Sequence, residues 1–146
     1  MGGGGGLIFG ATISARLYWR NQNINTEDLN MKRPLAYITA AWGDCEFETT
    51  ENAAKYCRAV YEAGFNPICP ILFMPLFLNN AIPAEHKNNI DMSRDLLKRA
   101  RVVVVCGRAI DEAVKNDIAT AQRLGIMATT LDGIMTIRGQ GRSNRL

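Results

Sequence analysis

Residues 35–44 read Leu-Ala-Tyr-Ile-Thr-Ala-Ala-Trp-Gly-Asp, an apolar run that gives way to small residues. We predict a buried β-strand that runs out into a turn. Tyr37 lies inside the strand, and Trp42 and Asp44 lie just past its end. In an open α/β sheet, ligands bind at the carboxyl ends of the strands. The stretch therefore predicts one edge of a small-molecule pocket.

A second apolar run, Val102–Cys106, lacks the alternation of a half-exposed strand. Such a run is buried on both faces, which is typical of the central strand of a parallel sheet. The remaining predicted elements are a helix from Thr49 or Thr50 to Ala63, a short strand at 65–69, a helix from Asn88 or Asn89 to about Ala100, a helix capped by Asp111 and ended by Gly125, a strand at 126–130, and a weaker strand or short helix at 134–137. This order predicts a single-domain α/β fold, a Rossmann-like sandwich with a mostly parallel sheet of four to five strands.

Composition and charge exclude several classes of protein. The chain has 146 residues and a net charge of +3, which is too small to indicate a nucleic-acid partner. The chain has four cysteines without a C-x-x-C pair, and His86 is its one histidine, which argues against a zinc site; we expect no metal and no cofactor. Cysteines in apolar contexts, such as Cys57 and Cys106, suit a reduced, cytoplasmic protein. No run is long enough to indicate a membrane partner.

Three regions differ in composition. Residues 1–30 begin with Met and five glycines and are predicted to be a translated leader, a flexible extension or an expression tag, with Met31 as the natural start. Residues 31–137 form the predicted domain. Residues 138–146 are basic and glycine-rich and are expected to be a flexible tail.

The segment 71–78 is too apolar for an ordinary solvated loop, and prolines surround it. It is interpreted as a lid over a pocket, as a patch buried against a second copy in a homo-oligomer, or as a segment that packs on its own core.

Several polar residues allow both a functional and a structural interpretation. Asp117 lies at the border of the apolar face of its helix, one turn from each of two alanines. It is interpreted either as a pocket carboxylate or as a partly exposed acid paired with Lys115 or Arg101. Asp91 either faces the pocket or belongs to a solvated face. Tyr37 either serves a pocket or packs in the core, and Trp42 either stacks on a flat ring or covers an apolar edge.

Familiar nucleotide and hydrolase motifs are missing from the sequence. It has no G-x-G-x-x-G after the first strand, no Walker A motif and no G-x-S-x-G.

These residues together resemble the nucleoside 2-deoxyribosyltransferase-like superfamily, most closely its small members from bacterial mobile elements and phages. Members open with a strand similar to Tyr37–Trp42 and carry an acid on a later helix, matched here by Asp91. They continue with a hydrophobic strand, matched by Val102–Cys106, and a helix in which an acid precedes small residues and a glycine, matched by residues 117–125.

The resemblance implies cleavage or transfer at the N-glycosidic bond of a nucleoside or nucleotide. It implies that Asp117 is the nucleophile, Tyr37 its hydrogen-bond partner and Asp91 the acid that protonates the departing base. Asp117 is one methylene shorter than the glutamate of the superfamily. Either the backbone is closer here, or the protein is a non-catalytic nucleotide-binding or sensor module. A structural accessory protein of a mobile element is a further alternative. The predicted substrate-binding residues are Ala40, Trp42, Gly43, Gly107, Arg108 and Asp111.

Overall fold

A four-stranded parallel sheet forms the centre of the protein, which we describe from a computed structural model for residues 33–136. The strands are β1 (Leu35–Ala40), β2 (Asn66–Ile68), β3 (Val102–Cys106) and β4 (Met127–Thr130). They pair in parallel in the order β2-β1-β3-β4. The predicted Rossmann-like α/β sandwich is thereby confirmed.

Helices connect the strands. They are α1 (Glu46–Glu62), α2 (Pro70–Phe73), a 3-10 helix (Met74–Leu76), α3 (Pro83–Lys98) and α4 (Glu112–Leu124). Residues 131–136 are also helical and follow β4 directly, so the weak element predicted at 134–137 is helical over its described residues, 134–136.

The two faces of the sheet carry separate apolar clusters. Ile38 and Val104 pack with Ala53 and Val60 of α1 on one face. The intervening strand residues, Tyr37 and Val103, pack with Leu97 of α3 and Ala121 of α4 on the other face. Because β1 and β3 contribute to both clusters, they are the central strands, as the unbroken apolar run of β3 predicted. Tyr37 consequently faces α3 and α4.

Two helices begin earlier than their polar residues suggested. The N-cap of α1 is Cys45, and Thr49 lies inside the helix, where its hydroxyl donates to the Cys45 carbonyl (2.9 Å) and accepts from the Gly43 N–H (3.0 Å). The helix α3 begins at Pro83 rather than at Asn88 or Asn89. Proline suits the first turn of a helix because it has no N–H to leave unbonded there. The earlier start adds a turn and a half to α3.

The ends of α4 agree with the sequence prediction. The carboxylate of Asp111 accepts a hydrogen bond from the Val114 N–H (2.9 Å) and caps the helix. Gly125 follows the helix with φ of 72°, a left-handed conformation that favours glycine. These two residues therefore set where α4 begins and ends.

The apolar segment 71–78 divides between core and surface. Ile71 and Leu72 pack against the core, and Met74 is buried. Leu76 and Phe77 are 84% and 58% exposed. The first half therefore packs on its own domain, while the second half presents an apolar surface.

Two of the predicted regions, 1–30 and 138–146, lie outside the described residues. Within the described residues, no helix has the length and apolar character needed to cross a membrane.

Candidate functional site

The connections after β1 and β3 open a crevice at the carboxyl edge of the sheet. The chain leaves β1 for α1 on one face, and it leaves β3 for α4 on the opposite face. In open α/β sheets, ligands bind at the point where neighbouring connections diverge in this way. The strand order and the opposite faces taken by α1 and α4 therefore place a crevice between β1 and β3.

A cavity of about 500 Å³ occupies this edge of the sheet. This volume lies in the range of small-molecule sites, about 300–1,000 Å³. The apolar part of its wall includes Ile71 and Pro75. The polar and aromatic side chains in its wall are Tyr37, Thr39, Trp42, Asn80, His86, Asn89, Ser93, Arg94, Asn116 and Asp117. The cavity thus combines apolar wall residues with polar side chains, a combination that is typical of binding sites.

Asp117 is held against the end of β1. Its carboxylate accepts a hydrogen bond of 2.7 Å from the hydroxyl of Thr39, which is buried. Burial raises the pKa of the Asp117 carboxyl, the hydrogen bond from Thr39 and the charge of Arg94 lower it, and the charge of Asp111 raises it. Lys115, one possible partner from the sequence, pairs instead with Glu112 at 3.3 Å. The structure therefore places Asp117 in the cavity wall, as a half-buried carboxylate.

Tyr37 lies deeper in the same cavity. Burial and then the charge of Asp117 raise the pKa of its phenol well above the ordinary value, although a hydrogen bond with Ser93 lowers it. Ser93 in turn donates a hydrogen bond to the side-chain oxygen of Asn89 (3.1 Å). The structure thus brings Tyr37 and Asp117 together, but the hydroxyl that bonds Asp117 belongs to Thr39.

Asp91 does not reach this cavity. It lies on the exposed side of α3, where Lys87 donates a hydrogen bond of 2.6 Å to its carboxylate. This hydrogen bond and the Lys87 charge lower the pKa of Asp91. The residue borders a separate, shallower apolar groove with Met74 and Met92 among its lining. Around the helix axis, Asp91 lies about 100° from Ile90 and about 60° from Arg94, and Lys87 binds it on the exposed side.

The six predicted substrate-binding residues divide into three groups. Ala40 and Trp42 line the cavity. Gly43 lines a smaller adjoining cavity of about 110 Å³ between the turn after β1 and the start of α1. Gly107, Arg108 and Asp111 lie outside the lining of the main cavity. Gly107 and Arg108 form the exposed turn after β3. Asp111 caps α4, and its charge raises the pKa of Asp117.

Sequence reasoning expected α3 to contribute Asp91 to the pocket and missed the residues of this helix that line the cavity. His86, Asn89, Ser93 and Arg94 all line it. Residues 86, 90 and 94 are spaced by four, so they share one side of the helix. The available signal was Pro83: a helix that starts there includes His86 in the same stripe, whereas a helix that starts at Asn88 excludes it.

Metal ligation is not indicated in the described part of the chain. No group of three or more His, Cys, Asp or Glu side chains within residues 33–136 is arranged to hold an ion. The chemistry available in the cavity is that of one carboxylate, one guanidinium, one imidazole, hydroxyls, amides and an indole.

The fold and the crevice define a Rossmann-like α/β protein with a cavity at the switch point of its parallel sheet. Residues 34–131 match the family described as a domain of unknown function (DUF7768), and the chain belongs to this family. Comparison with curated proteins gave no match.

Proposed function

We propose that the protein cleaves or transfers at the N-glycosidic bond of a nucleoside or nucleotide, with Asp117 as the carboxylate that acts on the sugar. The observation that carries the proposal is the half-buried Asp117 carboxylate, which Thr39 fixes in the wall of a cavity. Breaking an N-glycosidic bond develops positive charge on the sugar. A fixed, partly desolvated carboxylate stabilises that charge or traps the sugar covalently.

The other residues of the cavity suit the parts of such a substrate. Trp42 is 44% exposed at the rim, where its ring is accessible for stacking against a flat base. The Asn80, Asn89 and Asn116 amides supply donors and acceptors for a base edge or sugar hydroxyls.

The test is release of free base from a panel of 2′-deoxyribonucleosides and their 5′-monophosphates, measured by chromatography. We expect the unmodified protein to release base from at least one of them and Asp117→Asn to release none above the blank. Asp95→Asn is the matched control, because Asp95 lies on the exposed side of α3, paired with Arg99 at 2.9 Å. Base release by Asp117→Asn at the unmodified rate would refute the assignment.

A nucleotide-binding module without catalysis is the second candidate, favoured by the short side chain of Asp117. It predicts that members of the same panel raise the melting temperature of the protein while no base is released. Release of base contradicts this candidate.

The exposed apolar surface formed by Leu76 and Phe77 suits a second copy of the chain as a partner. The neighbouring Pro75 lines the cavity, so an oligomer formed through this surface would lie beside the site.

A further inference from the structure

The departing base needs a proton, and the structure leaves the predicted donor outside the cavity. When the bond between sugar and base breaks, the electron pair goes to the base nitrogen. A base leaves faster when a positioned acid protonates it. Asp91 was predicted to be this acid, but it lies on the exposed side of α3, bonded to Lys87. The question is which cavity residue can take its place.

Four titratable side chains line the cavity in the described part of the chain: Tyr37, His86, Arg94 and Asp117. Arg94 keeps its proton, because a guanidinium is not deprotonated in proteins. The Tyr37 phenol is buried and its raised pKa makes it a poor proton donor. Asp117 acts on the sugar as a carboxylate. Only His86 remains, and imidazole is the side chain most often used as a general acid at neutral pH.

The position of His86 fits the base end of the substrate. The helix α3 begins at the carboxyl edge of the sheet and ends next to Arg101, whose N–H bonds the Leu35 carbonyl at the opposite edge. His86, in the first turns of α3, is therefore at the same edge as Trp42, and both residues are exposed at the rim. His86 precedes Arg94 by two turns, about 12 Å along the axis.

Asp117 lies deeper than these rim residues. It contacts Thr39, inside β1, and is half-buried. A nucleoside with its sugar at Asp117 and its base against Trp42 therefore presents the base edge to His86. In the described part of the chain, the His86 imidazole makes no hydrogen bond or ion pair that would occupy it.

We infer that His86 is the general acid that protonates the leaving base in the cavity, an assignment that rests on the proposed function. The imidazolium gives its proton to a ring nitrogen of the base while the bond from the sugar carbon to the base breaks, and the base leaves neutral. The Asp117 carboxylate bonds to the sugar carbon. Water then attacks this carbon and gives a proton to solvent, the carboxylate of Asp117 is released, and the exposed His86 imidazole takes up a proton from solvent.

The test compares 2′-deoxyguanosine with 7-methyl-2′-deoxyguanosine. The methylated base is already positively charged and leaves as a neutral molecule, so its release needs Asp117 but no acid. We expect His86→Asn and His86→Gln to lower base release from 2′-deoxyguanosine by about 100-fold or more and to change release from the methylated nucleoside by less than about threefold. Spontaneous release in buffer is subtracted.

Two further variants complete the design. Lys87→Gln is the matched control on the same turn of α3, because Lys87 pairs with Asp91 outside the cavity, and it should leave both rates unchanged. Asp117→Asn should lower both rates. Retained cleavage of the methylated nucleoside by the His86 variants also shows that they are folded.

The outcomes separate the two hypotheses. An equal loss on both substrates, or no loss on either, in the His86 variants overturns the role of His86 and leaves Asp117 standing. Cleavage of only the methylated nucleoside by the unmodified protein also overturns it. Release of no base from these two substrates or from any other nucleoside or nucleotide of the panel overturns the proposed function, and the role of His86 with it.

Discussion

The hydrogen bond from Thr39 to Asp117 should make a measurable contribution to stability. Thr39→Val keeps the shape of the side chain and removes the hydroxyl, which donates to the carboxylate over 2.7 Å. Thr39 is only 4% exposed, so water replaces the lost donor poorly. A hydrogen bond to a charged group contributes about 1.5–3 kcal/mol. Because Asp117 is only half-buried, we expect the lower end, about 1.5 kcal/mol, at pH 7.

The free energy of unfolding should depend on pH, because Asp117 binds its proton with different affinity in the folded and unfolded states. Burial raises the pKa of Asp117 in the folded state, so the folded protein binds this proton more readily than the unfolded chain. The free energy of unfolding should therefore fall as pH rises from the ordinary aspartate pKa through the raised value. Below this window the carboxyl is protonated, and its bond with Thr39 contributes about 0.5–1.5 kcal/mol, as between neutral groups.

A double-mutant cycle isolates the interaction from other effects of each substitution. Unfolding in urea, followed by circular dichroism, gives the free energy of unfolding for the unmodified protein, Thr39→Val, Asp117→Ala and the double variant, each at neutral and acidic pH. Thr39→Ser is the control, because it keeps the hydroxyl. A coupling energy below about 0.5 kcal/mol at pH 7 would refute the view that Thr39 fixes Asp117, since independent sites are additive within that margin.

Three other substitutions test the surroundings of the cavity. Trp42→Ala should weaken nucleoside binding by about 1–3 kcal/mol, at least about fivefold in Kd by calorimetry, whereas Trp42→Phe keeps a stacking ring; equal Kd values for both would contradict stacking. Leu97→Ala should lower the free energy of unfolding in urea by about 2–5 kcal/mol, because Leu97 is fully buried between α3 and the sheet, and a loss below about 1 kcal/mol would contradict this packing. Phe77→Asp should reduce the mass measured by light scattering if Phe77 packs against a second copy, while an unchanged oligomer would exclude this surface.

The fold could be predicted because its signals are local. The unbroken apolar run of β3 indicates burial on both faces, and Asp111 and Gly125 are typical residues for the two ends of a helix. The position of Asp117 near the sheet also follows from the sequence, since its neighbours one turn away are alanines. These features depend on residues within a few positions of one another.

The wall formed by α3 could not be predicted with the same success, because it depends on where the helix begins and which side faces the sheet. The asparagines at 88 and 89 are common cap residues, but Pro83 starts the helix. An apolar residue such as Ile90 is expected on the core side of α3, yet it is 43% exposed and lines the cavity. An apolar residue in a cavity wall has the same sequence pattern as one in the core.

The partner of Asp117 was also beyond local reasoning. A threonine in a strand is ordinary, because β-branched residues favour strands. Its role becomes visible only when β1 and α4 are packed together, 78 positions apart along the chain. Contacts of this range depend on the register of the sheet and on the position of the helix over it.

The charges of the cavity bear on the role proposed for the Asp117 carboxylate. A permanently cationic ligand would meet Arg94 in the same wall, whose charge already acts on Asp117. The cavity therefore favours positive charge only near Asp117, at its deep end. Elsewhere in the wall the charge of Arg94 opposes it. During cleavage of the N-glycosidic bond, positive charge develops on one sugar carbon. In the proposed complex this carbon lies beside the Asp117 carboxylate, so a carboxylate that acts over a short distance can stabilise the charge. A desolvated carboxylate without an ion pair among the described residues costs stability, and such groups are concentrated at functional sites. This combination favours a carboxylate that stabilises a transition state over one that binds a cation.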